Sequence, residues 1–215
     1  MIHMRAISII IIFAVVFVWT FPLEGDDYIE DLIDIQELDG DIIAIREGRV
    51  KLFDLPSPEK ILWIGSKGYI GAVLTERRFL VISKSSIGWY EISLKEKEAK
   101  EAITLLSEYL AVLVTVDRGI CFDGKNNRFI EFQRPANEAF LESAVNKYVA
   151  VVVSSRYAFG LALGGEEFNK IPFLPNEYLE TLKTTAHFAT IRTTKRVLIF
   201  RDSDSSWTVV DRPLR

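Results

Sequence analysis

The sequence predicts an all-β repeat fold. Five sheet units of about four antiparallel strands follow one another, the first incomplete, preceded by an N-terminal apolar helix. Three observations carry this prediction. Segments opening aromatic–apolar–Ala recur at equal spacing, at Tyr109, Tyr148 and His187, and Thr115, Ser154 and Thr193 follow them at one fixed offset. The runs YVAVVV and YLAVLV are continuously apolar and β-branched, the pattern of strands buried on both faces. Short polar turns such as REG, TERR and VDRG then separate each run from a second one.

Residues 1–23 stand apart. A positive start ending at Arg5 precedes AISIIIIFAVVFVWTF, and an acidic stretch begins at Glu24. Charged start, apolar run and polar continuation are the layout of an export signal. Residues 1–23 therefore read as a signal peptide or a signal anchor. Leu23-Glu24-Gly25 supplies the small residues of a cleavage site poorly. Residues 6–23 fall slightly short of the roughly 20 apolar residues of a membrane span. Arg5 on the short side places the remainder outside the cytoplasm, periplasmic or secreted, with membrane contact only through this segment. Residues 24–39 read as an acidic linker and first strand, and residues 40–215 as the repeat domain. The nine carboxylates between Glu24 and Asp41 lack the spacing of a calcium loop.

Composition narrows the function classes. With 26 Lys+Arg against 30 Asp+Glu, the net charge is -4, which gives no long-range attraction for nucleic acid. A single cysteine, Cys121, excludes an intrachain disulfide and, inside GICF, reads as a buried thiol. The two histidines, His3 and His187, cannot assemble a zinc site, and no cofactor is expected.

Within the domain a further copy opens at Tyr69, almost the same distance ahead of Tyr109. A degenerate copy, GDIIAIREGRVKLFD, opens at Gly40 after a shorter interval. After the turn, Phe53, Ile82, Phe122, Leu161 and Phe200 repeat this pattern of one short interval and three nearly equal longer ones. Upstream of each central strand lies a candidate first strand: ILWIG, ITLLS, FLESAV or YLETLK. The segment Lys95 to Leu110 is rich in helix formers, with Glu96 and Lys100 at i,i+4, so one helix plus three strands is the alternative unit. Strands are preferred, because ILWIGS is too short and β-branched for a helix. LPSPEK, Leu55 to Lys60, reads as a connector. The short first interval implies that the first unit lacks a strand. Closure of a ring would then need Tyr28 to Leu38, or the C-terminal strand SSWTVVD.

FLESAVNKYVAVVVSSRYAFGL and YLAVLVTVDRGICFDGKNNRFIEF resemble the blades of β-propeller repeat proteins of the WD-repeat or quinoprotein-like kind. Each gives a first strand, a buried second strand, a tight turn, and a third strand ending near an aromatic and Asp, as at Asp54, Asp123 and Asp202. The resemblance runs from Gly40 to Pro213 and implies an architecture; no family function or binding residue carries over.

Every turn between second and third strands holds a basic residue: Arg49, Arg77 with Arg78, Arg118, Arg156, and Lys195 with Arg196. On one face of a closed ring, Arg49, Arg78, Arg118, Arg156 and Arg196 would attract carboxylate or phosphate. The plainer reading is placed ahead: exposed turns favour charge, and duplication copies one ancestral Arg. For catalysis nothing assembles. No nucleophile elbow or phosphate loop occurs, LALGGEE reads as a hairpin turn, and Glu166-Glu167 is a carboxylate pair without known separation. His187 takes the place of Tyr109 and Tyr148 and reads as a packing or hydrogen-bonding aromatic, ahead of a general base. Trp63, Trp89 and Trp207 read as core or blade-face residues.

The expectation is an exported, non-catalytic binding or scaffolding module for a protein or an anionic ligand. The alternatives are a carbohydrate-active or other hydrolytic enzyme using carboxylates on the same face, and a membrane-attached envelope assembly factor.

Overall fold

The computed structural model describes residues 31–56 and 59–212. The predicted leader and its apolar helix lie outside them. Among the described residues nineteen strands form five antiparallel meanders. The first has three strands: β1 (Ile33–Leu38), β2 (Asp41–Arg46) and β3 (Arg49–Phe53). The second is β4 (Ile61–Lys67), β5 (Ile70–Thr75), β6 (Arg78–Ser83) and β7 (Tyr90–Ser93). The third is β8 (Ile103–Leu106), β9 (Leu110–Val114), β10 (Arg118–Asp123) and β11 (Arg128–Gln133). The fourth is β12 (Phe140–Asn146), β13 (Val149–Ser154), β14 (Tyr157–Ala162) and β15 (Asn169–Pro172). The fifth is β16 (Leu179–Thr184), β17 (Phe188–Thr193), β18 (Arg196–Arg201) and β19 (Ser206–Asp211). The fold is all-β and propeller-like.

The first strands of the units are strands, as preferred. The helix formers after Lys95 make one short helix, α1 (Glu96–Lys100), in the connection ahead of β8. So short a helix fits a connecting turn without displacing the strand, and both sequence signals are realised at once.

The second strands sit between two neighbouring sheets, which explains their composition. Every residue of β5, β9 and β13 is buried, and alternate side chains enter two different cores. In β13, Val149, Val151 and Val153 join the core against the fifth sheet, while Ala150 and Val152 join the core against the third. Four apolar cores result, each between successive sheets. Where sheets approach most closely a side chain is omitted: a Cβ on Gly160 would lie 2.6 Å from the ring of Phe200.

Backbone bonds stitch the sheets at the start of their second strands. Tyr69 N–H donates to Glu108 O (3.0 Å), and Tyr148 N–H to Ala186 O (3.1 Å). Leu32 N–H donates to Gly68 O (2.9 Å) in the same way, which makes β1 a second strand. This corrects the reading of the first unit. GDIIAIREGRVKLFD supplies third and fourth strands, not second and third, and the interval from Leu32 to Tyr69 comes close to the other periods. The mistake came from the hairpins. The β1–β2 turn at Asp39-Gly40 and the β2–β3 turn at Glu47-Gly48 both hold two residues at positive φ, so the two look alike in sequence. The C-terminal strand β19 pairs with β18 inside its own sheet and does not cross to the first.

Candidate functional site

Antiparallel strands place alternate turns at opposite ends of each sheet. The turn between second and third strands lies at one end. The turns between first and second strands, and between third and fourth, lie at the other.

At the first end a polar node repeats in four sheets. Thr75, Thr115, Ser154 and Thr193 close the second strands. Each hydroxyl accepts the N–H of the residue three positions on, at 3.0, 3.1, 3.1 and 3.0 Å. Each also donates to a carboxylate from the connection before the first strand: Glu59, Glu98 (3.2 Å), Glu138 and Glu177 (2.5 Å). The predicted arginines neutralise those same carboxylates. Arg78 reaches Glu59 at 2.9 Å, Arg118 reaches Glu98 at 2.8 Å, Arg156 reaches Glu138 at 3.1 Å and Arg196 reaches Glu177 at 2.9 Å. The Glu side chains are at most 2% exposed. At Glu98 and Glu177 desolvation, which alone would raise the carboxyl pKa, is outweighed by hydrogen bonds from arginine, hydroxyl and the backbone N–H of Lys95 or Leu174, which hold both below the usual range.

Four of the five predicted site residues therefore stand at one end, each held by a glutamate of its own sheet. Arg156 is displaced one residue in the turn, and its side chain is 62% exposed against 11% for Arg196. Arg49 follows the β2–β3 turn and lies at the opposite end, because its unit is shifted by one strand. The glutamates were missed by sequence reasoning, although Glu59, Glu98, Glu138 and Glu177 recur with the same period as the tyrosines.

At the second end the residues that opened each copy meet. Tyr69 stacks on Tyr109 (centroids 4.8 Å), Tyr109 on Tyr148 (5.8 Å), and Tyr148 lies beside His187 (4.9 Å). One aromatic from each of the last four sheets, brought into line by blade packing, makes a continuous column. His187 Nδ1 lies 2.9 Å from Asp202 Oδ2, within hydrogen-bond distance, so it packs and hydrogen-bonds as read. Lys84 Nζ stands 5.5 Å from the centroid of Tyr69, and Lys147 Nζ 5.5 Å from that of Tyr148. Burial, together with hydrogen bonding to Tyr69, pushes the Tyr109 hydroxyl up to about 12, so it keeps its proton at neutral pH. Glu108 lies beside the column with one buried, unpartnered oxygen.

Beside the column is an open cavity of about 510 Å³ lined by Tyr69, Lys84, Ser85, Tyr109, Gly124, Lys125 and Leu163. Its floor is braced from three sheets. Ser85 Oγ donates to Gly124 O (3.2 Å), Asn127 Nδ2 donates to Ser85 Oγ (3.1 Å), and buried Asp123 accepts the N–H groups of Lys125 (2.8 Å) and Gly164 (3.0 Å). The rim presents phenol hydroxyls and ammonium groups, with the carboxylates of Glu108 and Asp202 set beside the column, and its donors suit an acceptor-rich ligand.

No family model matches the chain, and no curated protein does. Solved structures show distant likeness. The N-terminal domain of Nup159 is 9% identical over 84% of this chain and 58% of its own, with a TM-score of 0.39. Prp20p from Saccharomyces cerevisiae, described with its binding to Gsp1p and histones, is 7% identical over 81% and 60%, TM-score 0.43. PorZ, a surface component of the type-IX secretion system of Porphyromonas gingivalis, is 12% identical over 85% and 27%, TM-score 0.40. The chain thus spans about 60% of the length of the first two. The five sheets themselves define the fold.

Proposed function

We propose that the chain is a binding module that holds a carboxylate-bearing segment of a protein partner along the tyrosine–lysine rim, on the extracytoplasmic side of a membrane. The observation that carries this reading is the column Tyr69–Tyr109–Tyr148–His187 beside a braced cavity fringed by Lys84 and Lys125. Ring faces are spent on stacking, so the column offers hydroxyl edges and ammonium groups, both hydrogen-bond donors. A rigid array that sets equivalent loops side by side is suited to holding one extended partner. The export layout of residues 1–23 supports the location. The arginines at the other end have their charge matched by buried glutamates, and on the rim Lys84 is paired with Glu47 (3.3 Å) while Lys125 and Lys147 make no ion pair among the described residues, which favours the rim as the anion-binding end.

The test uses the full chain in mild detergent and a fluorescent glutamate-rich peptide, read by anisotropy. Lys125→Glu with Lys147→Glu should weaken binding by about tenfold or more, the effect of reversing rim charges at low salt. Arg156→Gln, at the opposite end, should leave it unchanged. Equal weakening by Arg156→Gln would move the site to the arginine turns, and absence of binding by the parent chain would end the reading.

A further inference from the structure

The four interior interfaces are all built the same way: one side of a sheet meets the opposite side of the next. The first and last sheets each keep one such side uncovered among the described residues. On the first sheet it holds Ile43, Ile45, Val50 and Leu52, with Val50 61% and Leu52 55% exposed. On the fifth it holds Phe188, Val197, Ile199 and Val210, with Phe188 42% and Val210 49% exposed.

Repeat equivalence shows how these two sides correspond. Arg46, paired across the sheet with Ile33, donates to Ser83 O (2.7 Å) and Ser86 O (2.8 Å) of the next sheet and clamps the first two sheets together. Arg201, paired with Phe188, stands at the same position of the fifth sheet, where no following sheet is present among the described residues to receive it. Asp34 is the equivalent of Gly71, whose missing Cβ would lie 2.4 Å from Ile35 and 2.9 Å from Ile33. Ile33 and Ile35 correspond to Phe188 and Thr190 of the fifth sheet, so Asp34 matches a place beside Arg201. The uncovered sides are complementary in charge: Asp34 and Asp41 stand on one, and on the other the Arg201 side chain is bonded, among the described residues, only to the Thr208 hydroxyl (2.9 Å), whereas Arg192 is already paired with Glu180 (2.8 Å).

We propose that these two sides are the halves of one more blade-to-blade interface, joined head to tail by a second copy of this chain. The contact is heterologous, so copies extend into a ring if the rotation closes and into a filament if it does not. Arg201 then clamps the β2–β3 turn of the neighbouring copy as Arg46 clamps its own next sheet.

Cysteine pairing tests this on the full chain in detergent, with buried Cys121 as a silent background. Gly160 faces Phe200 across an interior interface, and the matching end positions are Ile199 and Ile45. Oxidising a mixture of the Ile45→Cys and Ile199→Cys chains should give a cross-linked dimer that neither variant gives alone. The double variant should give a ladder of larger species. Dimers from either single variant, a cross-linked monomer from the double variant, or no cross-link at all would each overturn the proposal. Arg201→Glu in the Ile199→Cys chain should cut the mixed yield by about tenfold, and Asp34→Arg in its partner should restore it. An unchanged yield would also overturn it.

Discussion

The guanidinium of Arg196 lies 2.9 Å from Oε1 of Glu177, whose side chain is wholly removed from water. The same carboxylate accepts the Thr193 hydroxyl and the Leu174 N–H, so its lone pairs are shared among three elements of the chain. A second strand, a third strand and a connecting loop are thereby tied at one point; the hydroxyl and arginine contacts repeat in the three preceding sheets, and the backbone N–H contact at Glu98.

Removing the cation from this node should be costly. Arg196→Ala leaves a buried carboxylate uncompensated, and about 3 kcal/mol of stability should be lost. Arg156 faces an equally buried Glu138 but from a largely exposed position, where water shares the guanidinium, so Arg156→Ala should cost less, about 1–2 kcal/mol. Urea denaturation of both variants followed by tryptophan fluorescence checks the order, and equal losses would contradict it.

Acid should loosen the same nodes. Glu98 and Glu177 are depressed below the unfolded carboxyl value of about 4.3, so their contribution is complete above that value and vanishes as pH falls through the folded one. The melting temperature should be level above about pH 5 and fall below about pH 4. Glu98→Gln should melt lower at neutral pH and show a shallower acid decline.

Close packing at Gly160 leaves no room for a side chain against Phe200. Gly160→Val should overpack the core between the fourth and fifth sheets and destabilise by about 1–3 kcal/mol. Its counterpart in the third sheet is Cys121, so Gly160→Ala should be the milder change. Thermal melts of the two variants decide whether the fifth sheet is packed as tightly as described.

Burial, and then the charge of Asp123, push the Cys121 thiol well above its ordinary value, and the side chain is fully enclosed. A small maleimide should fail to label the folded chain at neutral pH and label it fully in denaturant. Labelling at equal rates in both states would show that the core between the third and fourth sheets opens readily.

The sequence by itself determined the sheet class, the repeat and the identity of the buried strands. A run such as YVAVVV can satisfy its apolar side chains only between two covering layers, and a unit repeated at constant period can stack only on its own copies. The phase of the first unit was not legible, because Asp39-Gly40 and Glu47-Gly48 form like hairpins, and it takes contacts between sheets, such as the bond from Leu32 to Gly68, to distinguish them. Nor was the fate of the arginines. A charged turn residue reads the same whether water or a buried glutamate surrounds it, and that glutamate comes from the loop ahead of the first strand, two strands away in sequence. Tyr109 and Tyr148 were visible as repeat markers, but their alignment into a stacked column depends on how far one sheet rotates against the next. That rotation is set by side-chain packing in the interfaces, so only the tertiary structure decides it.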